Sequence, residues 1–275
     1  MMETGQIPSK DGLKLFWRAT LAKEARLVLV LVHGFAEHSG RYADMMNWLC
    51  QEGISTVALD LRGHGQSGGR RGYIDSFDQY VGDVNAVVQW ARKKTKTKQI
   101  ALLAHSMGGL VGTYYAAQYG SKLSGLILSS PLFGISAPVP FWKRKMGQVM
   151  SSLIPAFGLP SGIDPDNLTH DKKVAELYRE DPLVFHKATA RWFCEVVRAS
   201  SQAMPKASLL KMPLLMQLST DDRIVDYPRS RDFYAQCKMV DRSLHAYEGF
   251  FHEIYNEVER QKPLSDLLAW IKHRF

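Results

Sequence analysis

The sequence is poor in cysteine and has no long apolar run. Its three cysteines, Cys50, Cys194 and Cys237, lie far apart, and none forms the C-x-x-C spacing of a metal or redox site. The longest apolar run, residues 27–32, is far shorter than the about 20 residues that cross a bilayer. Residues 1–10 lack the basic stretch and apolar core of a secretory signal. These absences predict a soluble, cytoplasmic protein with unpaired thiols.

Basic residues exceed acidic residues only slightly. The chain has 35 lysine and arginine residues against 27 aspartate and glutamate residues, a formal net charge of +8. The basic residues form short, separate clusters such as 93–98 and 143–145, not the continuous stripe of a nucleic-acid-binding module. Nucleic-acid binding is therefore not expected. Two interpretations of these clusters stay open, namely solvated surface and weak attraction to anionic lipid.

Hydrophobic residues make up 45% of the chain, too many for a disordered protein, and they follow two alternating patterns. Short apolar runs typical of strands buried on both faces occur at 27–32, 54–59, 100–104, 123–128, 214–218 and around Leu244. Residues 77–88 and 258–271 instead repeat apolar side chains at helical spacing. This alternation predicts an α/β fold with a mostly parallel sheet flanked by helices.

Residues 132–211 interrupt the alternation. They contain no clear buried strand, and they are too many to form a structureless loop in a compact domain. We predict a helical insertion on a core formed by residues 1–131 and 212–275. Within it, apolar residues recur at helical spacing from Met146 to Phe157, after Phe141, Trp142 and the basic cluster 143–145. This pattern predicts either a helix that buries its apolar stripe against the core or one that touches lipid.

The most informative segment is 102–111, where an apolar run leads into small residues and then into a helical pattern. Ser106 lies within Ala104-His105-Ser106-Met107-Gly108, close to the G-x-S-x-G pattern of a nucleophile elbow. Alanine at the first position departs from that pattern, so one methyl group must fit between strand and helix. The alternative, a serine that only caps the helix, gives no reason for two glycines after Met107. We predict that Ser106 is a nucleophile.

A serine nucleophile needs a carboxylate that orients its base, and after such an elbow the partners follow in the order Asp, His. The predicted strand 214–218 is followed by Asp221 and Asp222. We predict Asp222 as the acid and keep Asp221 as the rival. Asp226 precedes Tyr227-Pro228 and is predicted to cap a helix.

The base must be chosen among nine histidines. His252 lies in a loop after the last predicted strand, where the base is needed, and we predict it as the base. His33 ends a strand and His105 lies within the elbow, so both are predicted to be structural. His273 lies in the terminal helical pattern and is predicted to be exposed.

Acyl transfer also needs two donors for the oxyanion, since removing one typically costs about 10²- to 10³-fold in rate. The backbone N–H of Met107, just after the nucleophile, is one candidate. The loop after strand 27–32 begins His33-Gly34-Phe35, and the Phe35 N–H is the other candidate. A glycine turn without a catalytic part is the alternative for this loop.

With these residues in place, the sequence resembles the α/β-hydrolases of the monoacylglycerol lipase and lysophospholipase group over nearly its whole length. The resemblance lies in residues 33–42 (HGFAEHSGRY), 60–67 (DLRGHGQS), the elbow, 181–183 with Arg191 and Trp192, and the segments of Asp222 and His252. It implies an α/β-hydrolase fold in which residues 132–211 form a cap over the active site. It also implies that Glu37 and Arg41 bind substrate at a polar end of the pocket. Lipases of this family often carry a histidine three residues after the catalytic one, where this chain has Tyr255.

A literal G-x-G-x-x-G pattern at 63–68 does not predict a dinucleotide site. Such a site requires a helix directly after the glycines and an acid at the end of the next strand. Here the loop continues through residues 69–72, and the helical pattern starts at about Phe77. No nucleotide cofactor is expected.

The preferred function is a serine esterase that releases a fatty acid from a monoacyl lipid, monoacylglycerol first and lysophospholipid second, without metal or cofactor. Membrane contact through the insertion is expected to be peripheral and transient. Two alternatives stay open: an aminopeptidase or amidase with the same triad, and a catalytically silent hydrolase fold used for binding. An epoxide hydrolase or dehalogenase would need aspartate in place of Ser106.

Overall fold

The computed structural model describes residues 2–136 and 141–275, without the side chains of 141–144. The strands are β1 (Met2–Pro8), β2 (Lys14–Thr20), β3 (Val28–Val32), β4 (Ser55–Leu59), β5 (Ile100–His105), β6 (Gly125–Ser129), β7 (Gly158–Pro160), β8 (Lys187–Thr189), β9 (Leu214–Ser219) and β10 (Arg242–Tyr247). The helices are α1 (Ala43–Gln51), α2 (Asp78–Thr95), α3 (Met107–Tyr119), α4 (Phe141–Leu153), α5 (Lys172–Glu180), α6 (Ala190–Ser201), α7 (Tyr227–Gln236) and α8 (Gln261–Arg274). Short 3₁₀ helices lie at Ser39–Tyr42, Gly120–Lys122, Pro165–Asn167 and Met204–Leu209.

Eight strands form one sheet in the order β1-β2-β4-β3-β5-β6-β9-β10. From β4 to β10 all neighbouring strands are parallel. Near the other edge of the sheet, β2 is antiparallel to both of its neighbours, β1 and β4. Every residue of β3, β4, β5, β6 and β9 is buried, as expected for strands covered by helices on both faces. The predicted α/β fold with a mostly parallel sheet is confirmed.

Two features of the ends of the chain differ from the sequence-based expectations. The β1–β2 hairpin was not predicted, because β1 is an exposed edge strand that lacks a continuous apolar run. Val258 was included in the terminal helical pattern, yet it precedes α8 and is 65% exposed. Neither difference affects the strands that carry the candidate site.

The order of the strands places the candidate site at the carboxyl ends of the central strands. The chain passes from β3 to β4 on one side and then returns to β5 on the other side of β3. Ligands of open α/β sheets bind at such a reversal, outside the carboxyl ends of the strands. Val32 pairs with Ala104 across these two strands, so the loops that start at His33 and Ser106 leave the sheet side by side.

Gly112 in α3 compensates for the alanine at the start of the elbow motif. A Cβ atom added to Gly112 would lie 2.8 Å from the Cβ of Ala104, closer than two carbon atoms can approach without displacement. The methyl group of Ala104 therefore occupies space that the missing side chain of Gly112 leaves open. Gly112, one helical turn after the last residue of the motif, thus makes room for alanine at the first motif position.

This compensation predicts a reciprocal effect on stability. Gly112→Ala should lower the free energy of unfolding by about 1–3 kcal/mol through overpacking, and adding Ala104→Gly should remove most of that loss. Gly82→Ala in α2 is the matched control, because no atom of the described residues lies within 4 Å of an added Cβ there, and it should stabilise by about 0.5–1 kcal/mol. Denaturant unfolding of Gly112→Ala, Ala104→Gly, their double variant and Gly82→Ala measures the coupling; strictly additive effects of the two elbow changes would contradict it.

Residues 132–211, called the insertion below, contribute no strand to the eight-stranded sheet in the part of the chain that the structure describes. They contain α4, α5, α6 and the small antiparallel pair β7–β8. Helix α4 packs on α6, and the buried positions among its residues 145–153 are the small residues Gly147 and Ser151. A Cβ at Gly147 would lie 3.7 Å from the Phe193 ring and 3.8 Å from Cys194 Sγ, so the two helices approach closely there.

The apolar stripe of the α4 region faces solvent. Of its six residues Met150 is half-buried, and the other five are between 46% and 76% exposed: Met146, Val149, Leu153, Ile154 and Phe157. Burial of this stripe against the core, one of the two interpretations of its pattern, is therefore wrong. The side chains of Phe141 and Trp142, which the lipid-contact interpretation also used, lie outside the described residues. Within the described residues, no helix combines the length and apolar content needed to span a membrane.

Candidate active site

Ser106 lies on strained backbone between β5 and α3. Its φ is 56° and its ψ is −121°, a conformation that non-glycine residues rarely adopt and that persists only where the surroundings enforce it. Its N–H donates to Ser129 O at 2.9 Å, and its carbonyl accepts from the Leu132 N–H at 2.9 Å. The side chain makes no capping hydrogen bond to α3. The helix-cap alternative for Ser106 is therefore not supported.

The three residues predicted as nucleophile, acid and base lie in one hydrogen-bonded row. His252 Nε2 is 2.8 Å from Ser106 Oγ, and His252 Nδ1 is 2.7 Å from Asp222 Oδ2. Asp222 Oδ1 accepts hydrogen bonds from the N–H groups of Ile224 and Val225 at 2.8 and 2.9 Å. A tight turn after β9 thus fixes the carboxylate, and the carboxylate fixes the imidazole.

The other two carboxylates near Asp222 lie elsewhere. Asp221 is exposed, whereas the side chain of Asp222 is 1% exposed. Asp226 Oδ1 accepts from the Arg229 N–H at 3.0 Å and caps α7, as its sequence context predicts. The carboxylate that faces His252 is therefore that of Asp222.

The charge of Asp222 makes His252 more basic. Burial alone would lower the pKa of His252, but the adjacent carboxylate of Asp222 and its hydrogen bond outweigh burial, so the pKa is raised above its usual value. The more distant charges of Glu253 and Glu37 act in the same direction. A histidine of this kind accepts a proton from a neighbouring hydroxyl and holds it as an imidazolium.

His105 and His33 are buried and hydrogen-bonded to core groups. Burial lowers the pKa of His105 to about 4, and its Nδ1 is 3.1 Å from Ser129 Oγ. Burial also lowers the pKa of His33. His33 Nε2 accepts from the Leu61 N–H at 3.0 Å, so Nδ1 carries the proton and donates to Gly34 O at 2.7 Å. His273 is exposed on α8.

The bond from His33 also orients a candidate oxyanion donor. Gly34 C=O and Phe35 N–H belong to one planar trans peptide and point in opposite directions, so holding the carbonyl at His33 fixes the direction of the N–H. Among the described residues, none accepts a hydrogen bond from the N–H groups of Phe35 or Met107. Both candidate donors thus lack an acceptor among the described residues, as oxyanion donors require.

Glu37 and Arg41, the predicted substrate-binding pair, lie in a buried ionic network. Arg41 Nη1 donates to Glu37 Oε2 at 3.1 Å, and its two terminal nitrogens donate to both oxygens of Glu253 at 2.5 and 2.7 Å. The side chains of Arg41, Glu37 and Glu253 are 10%, 3% and 5% exposed. Burial alone would lower the pKa of Arg41, but the two carboxylates raise it, so the guanidinium remains charged.

Glu253 is a residue of this network that the sequence did not predict. It directly follows His252 but pairs with a residue 212 positions earlier, and no local pattern signals a contact at that distance. Tyr255, the departure from the family pattern, is 5% exposed and donates its hydroxyl to Gln217. Gln217 is in turn bonded to Tyr247 and Pro263. Tyr255 therefore packs into the core behind the site.

The G-x-G-x-x-G loop has a structural role in the described structure. It folds around Asp60, whose carboxylate accepts hydrogen bonds from Ser39 and from the Gln66 N–H. Helix α2 begins only at Asp78. No helix begins directly after the glycines, so the residues described there do not form the arrangement of a dinucleotide site.

Aromatic side chains of the insertion contact the loop of Phe35, next to the row of Ser106, His252 and Asp222. Ser106 and His252 are 8% and 3% exposed. The Phe35 ring contacts Trp192 at an angle of 32° with centroids 3.8 Å apart and meets Phe185 edge-on at 5.3 Å. An aromatic wall from the insertion thus lies beside the candidate oxyanion donor. The described residues contain no group of three or more His, Cys, Asp or Glu side chains placed to hold a metal ion.

The chain is similar to several known proteins. A family model described as "Serine aminopeptidase, S33" matches residues 23–259. The monoacylglycerol lipase of Mycolicibacterium smegmatis is 33% identical over 250 residues, which cover 90% of this chain and 89% of that protein. Phospholipase YtpA of Bacillus subtilis is 33% identical over 236 residues, which cover 85% and 90%. The crystal structure of Paleococcus ferrophilus monoacylglycerol lipase matches with a TM-score of 0.87 at 27% identity, covering 95% of this chain and 99% of that chain.

Proposed function

The chain belongs to the α/β-hydrolase family described as "Serine aminopeptidase, S33", and within that family we propose that it is a serine esterase that releases a fatty acid from a monoacyl lipid. The observation that carries the chemistry is the row of Ser106, His252 and Asp222, with both contacts of the imidazole below 3 Å. This arrangement activates a serine hydroxyl for acyl transfer.

In the proposed acylation step, Ser106 Oγ attacks the ester carbonyl carbon while His252 Nε2 takes the hydroxyl proton. Asp222 stabilises the resulting imidazolium, and the N–H groups of Phe35 and Met107 bind the negatively charged oxygen. The tetrahedral intermediate collapses, the bond to the alcohol breaks, and His252 gives its proton to the leaving oxygen. Water then attacks the acyl-serine by the same route and releases the fatty acid.

The substrate class is supported by the relatives and by the insertion. One similar protein is named a monoacylglycerol lipase and another a phospholipase. We propose that the insertion is a cap, because it places the rings of Phe185 and Trp192 against Phe35 and leaves an apolar surface on its outer side. Such walls bind an acyl chain. Monoacylglycerol is the preferred substrate, and lysophospholipid is the second candidate.

An aminopeptidase is the competing function, since the family description names that activity. A free substrate amine needs an acceptor, and the buried carboxylates of Glu37 and Glu253 are already paired with Arg41. A panel of octanoyl glycerol, octanoyl lysophospholipid and aminoacyl amides, assayed with one enzyme preparation, tests the choice. Turnover of the amides above both lipids would reject the esterase, and failure of a fluorophosphonate to label the protein would reject any serine hydrolase.

The exposed stripe of α4 predicts a selective loss of activity on lipid surfaces. Val149→Ser combined with Leu153→Ser should reduce hydrolysis of dispersed monoacylglycerol by about 5- to 20-fold, because less apolar surface is buried on the dispersion. Hydrolysis of a soluble short-chain ester should change less than twofold.

Val240→Ser is the matched control for these substitutions. Val240 is a fully exposed apolar residue between α7 and β10, outside the insertion. This control should leave both activities unchanged. Equal losses on the dispersed lipid and on the soluble ester would contradict a lipid contact through α4.

A further inference from the structure

Hydrogen bonds hold both neighbours of Phe35 in the chain, Gly34 and Ala36. On one side, the Gly34 N–H donates to Glu37 Oε1 at 2.5 Å. On the other, the Ala36 carbonyl accepts a hydrogen bond from the hydroxyl of Tyr178 at 3.0 Å. Ala36 has a φ of 58°, a left-handed conformation that a non-glycine residue keeps only where its surroundings hold it. Tyr178 lies on α5, so one of these restraints comes from the insertion.

Arg41 joins these restraints to the loop of the base. Its guanidinium carbon lies 4.8 Å from the centroid of the Tyr178 ring, and the same group binds Glu37. Its bidentate pair with Glu253 fixes the residue that directly follows His252. The Glu253 N–H also donates to Leu168 O of the insertion at 2.8 Å. One side chain therefore contacts the oxyanion loop, the histidine loop and the insertion.

We propose that Arg41 and Tyr178 are positioning residues that set the Phe35 N–H against His252, so that oxyanion binding and proton transfer take place in one fixed geometry. The proposal rests on the function proposed above, since it assigns Phe35 and His252 to the same reaction. A bidentate guanidinium–carboxylate pair suits this task because its two parallel bonds fix orientation as well as distance.

This role differs from direct binding of the substrate head group by Glu37 and Arg41. The terminal nitrogens of Arg41 already donate to two carboxylates, and the guanidinium carbon lies over the Tyr178 ring. Three of the five N–H groups of the guanidinium make these hydrogen bonds, so a substrate hydroxyl that took one of the three would displace a buried partner. Such a displacement would leave a buried charge without its partner, which is costly.

Two substitutions separate positioning from head-group binding. Tyr178→Phe removes only the hydroxyl, and Arg41→Lys keeps the charge but loses the planar fork. Each variant is assayed on two esters of the same octanoyl chain, one with glycerol and one with 4-nitrophenol as the alcohol. We expect kcat to fall by a similar factor on both esters, about 10-fold for Tyr178→Phe and about 30- to 100-fold for Arg41→Lys, with KM within twofold.

Tyr114→Phe is the matched control, because the Tyr114 hydroxyl also ties the core to the insertion, at Ala199 O and 2.8 Å, away from the catalytic loops. It should leave kcat within twofold of wild type. Losses confined to the glycerol ester and to KM would assign Arg41 to the head group and overturn the proposal, as would unchanged kcat in both variants. If Arg41→Lys does not fold, Tyr178→Phe decides alone.

The same assay keeps the two proposals apart. If the wild-type protein cleaves the nitrophenyl ester but not the glycerol ester, the proposed lipid substrate fails, while the kcat comparison on the nitrophenyl ester still tests positioning. The rate of fluorophosphonate labelling at Ser106 is a second readout that needs no substrate, and it should fall in parallel with kcat in both variants.

Discussion

Replacement of Ser106 by alanine is expected to lower kcat for ester hydrolysis by about 10⁵-fold or more, which is the scale of loss when a serine nucleophile is removed. Nothing else in the row can replace the hydroxyl, because His252 Nε2 is directed at Ser106 Oγ and its other nitrogen is held by Asp222. Fluorophosphonate labelling should disappear together with turnover. The measurement is initial rates on octanoyl glycerol, with intact-protein mass spectrometry to follow labelling.

The fold should persist in the Ser106→Ala variant. Alanine can occupy the same strained conformation, and the loss is one hydrogen bond to a buried imidazole, worth about 1–2 kcal/mol in the free energy of unfolding. Ser208→Ala is a suitable control, since Ser208 is an exposed serine whose hydroxyl donates to Pro205 O within the same 3₁₀ helix. Residual activity of the Ser106 variant within tenfold of wild type would refute its assignment as the nucleophile.

The strands of the core could be predicted from the sequence because burial on both faces requires a continuous apolar run. The β3 and β5 runs, for example, are apolar almost throughout, and both strands are fully buried. The same rule cannot detect β1, an edge strand that needs no such run. A sequence pattern also cannot show whether the α4 stripe is buried, because apolar residues at helical spacing look the same whether they face a core or solvent.

The parts of the site that lie in local sequence motifs could be predicted. The elbow around Ser106 and the loop of His252 are local in sequence, and their meeting follows from parallel strands that end at one edge of the sheet. The choice between Asp222 and Asp221 depends on which carboxylate the turn after β9 buries. Glu253 and Tyr178 escaped prediction because their roles depend on contacts with residues more than a hundred positions away.

Asp222→Asn is expected to lower kcat by about 10⁴-fold while leaving the geometry in place. Asparagine can keep the bonds from the N–H groups of Ile224 and Val225 with its amide oxygen, as Asp222 Oδ1 does. Its NH₂ group then faces His252 Nδ1 and makes that nitrogen an acceptor. The imidazole proton moves to Nε2, where it blocks acceptance of the Ser106 proton.

The pH dependence of the residual activity should shift in a defined direction. In the wild type, burial lowers the pKa of His252, but the Asp222 charge raises it beyond its usual value. Since the neutral imidazole is the active form, kcat/KM falls as the pH drops through this raised pKa. Without the charge the pKa falls, so the acid limb of the kcat/KM profile of Asp222→Asn should lie at lower pH.

Asp221→Asn, which changes an exposed neighbour, should leave rate and profile unaltered. A profile that shifts in the Asp221 variant and not in the Asp222 variant would assign the acid to the other residue.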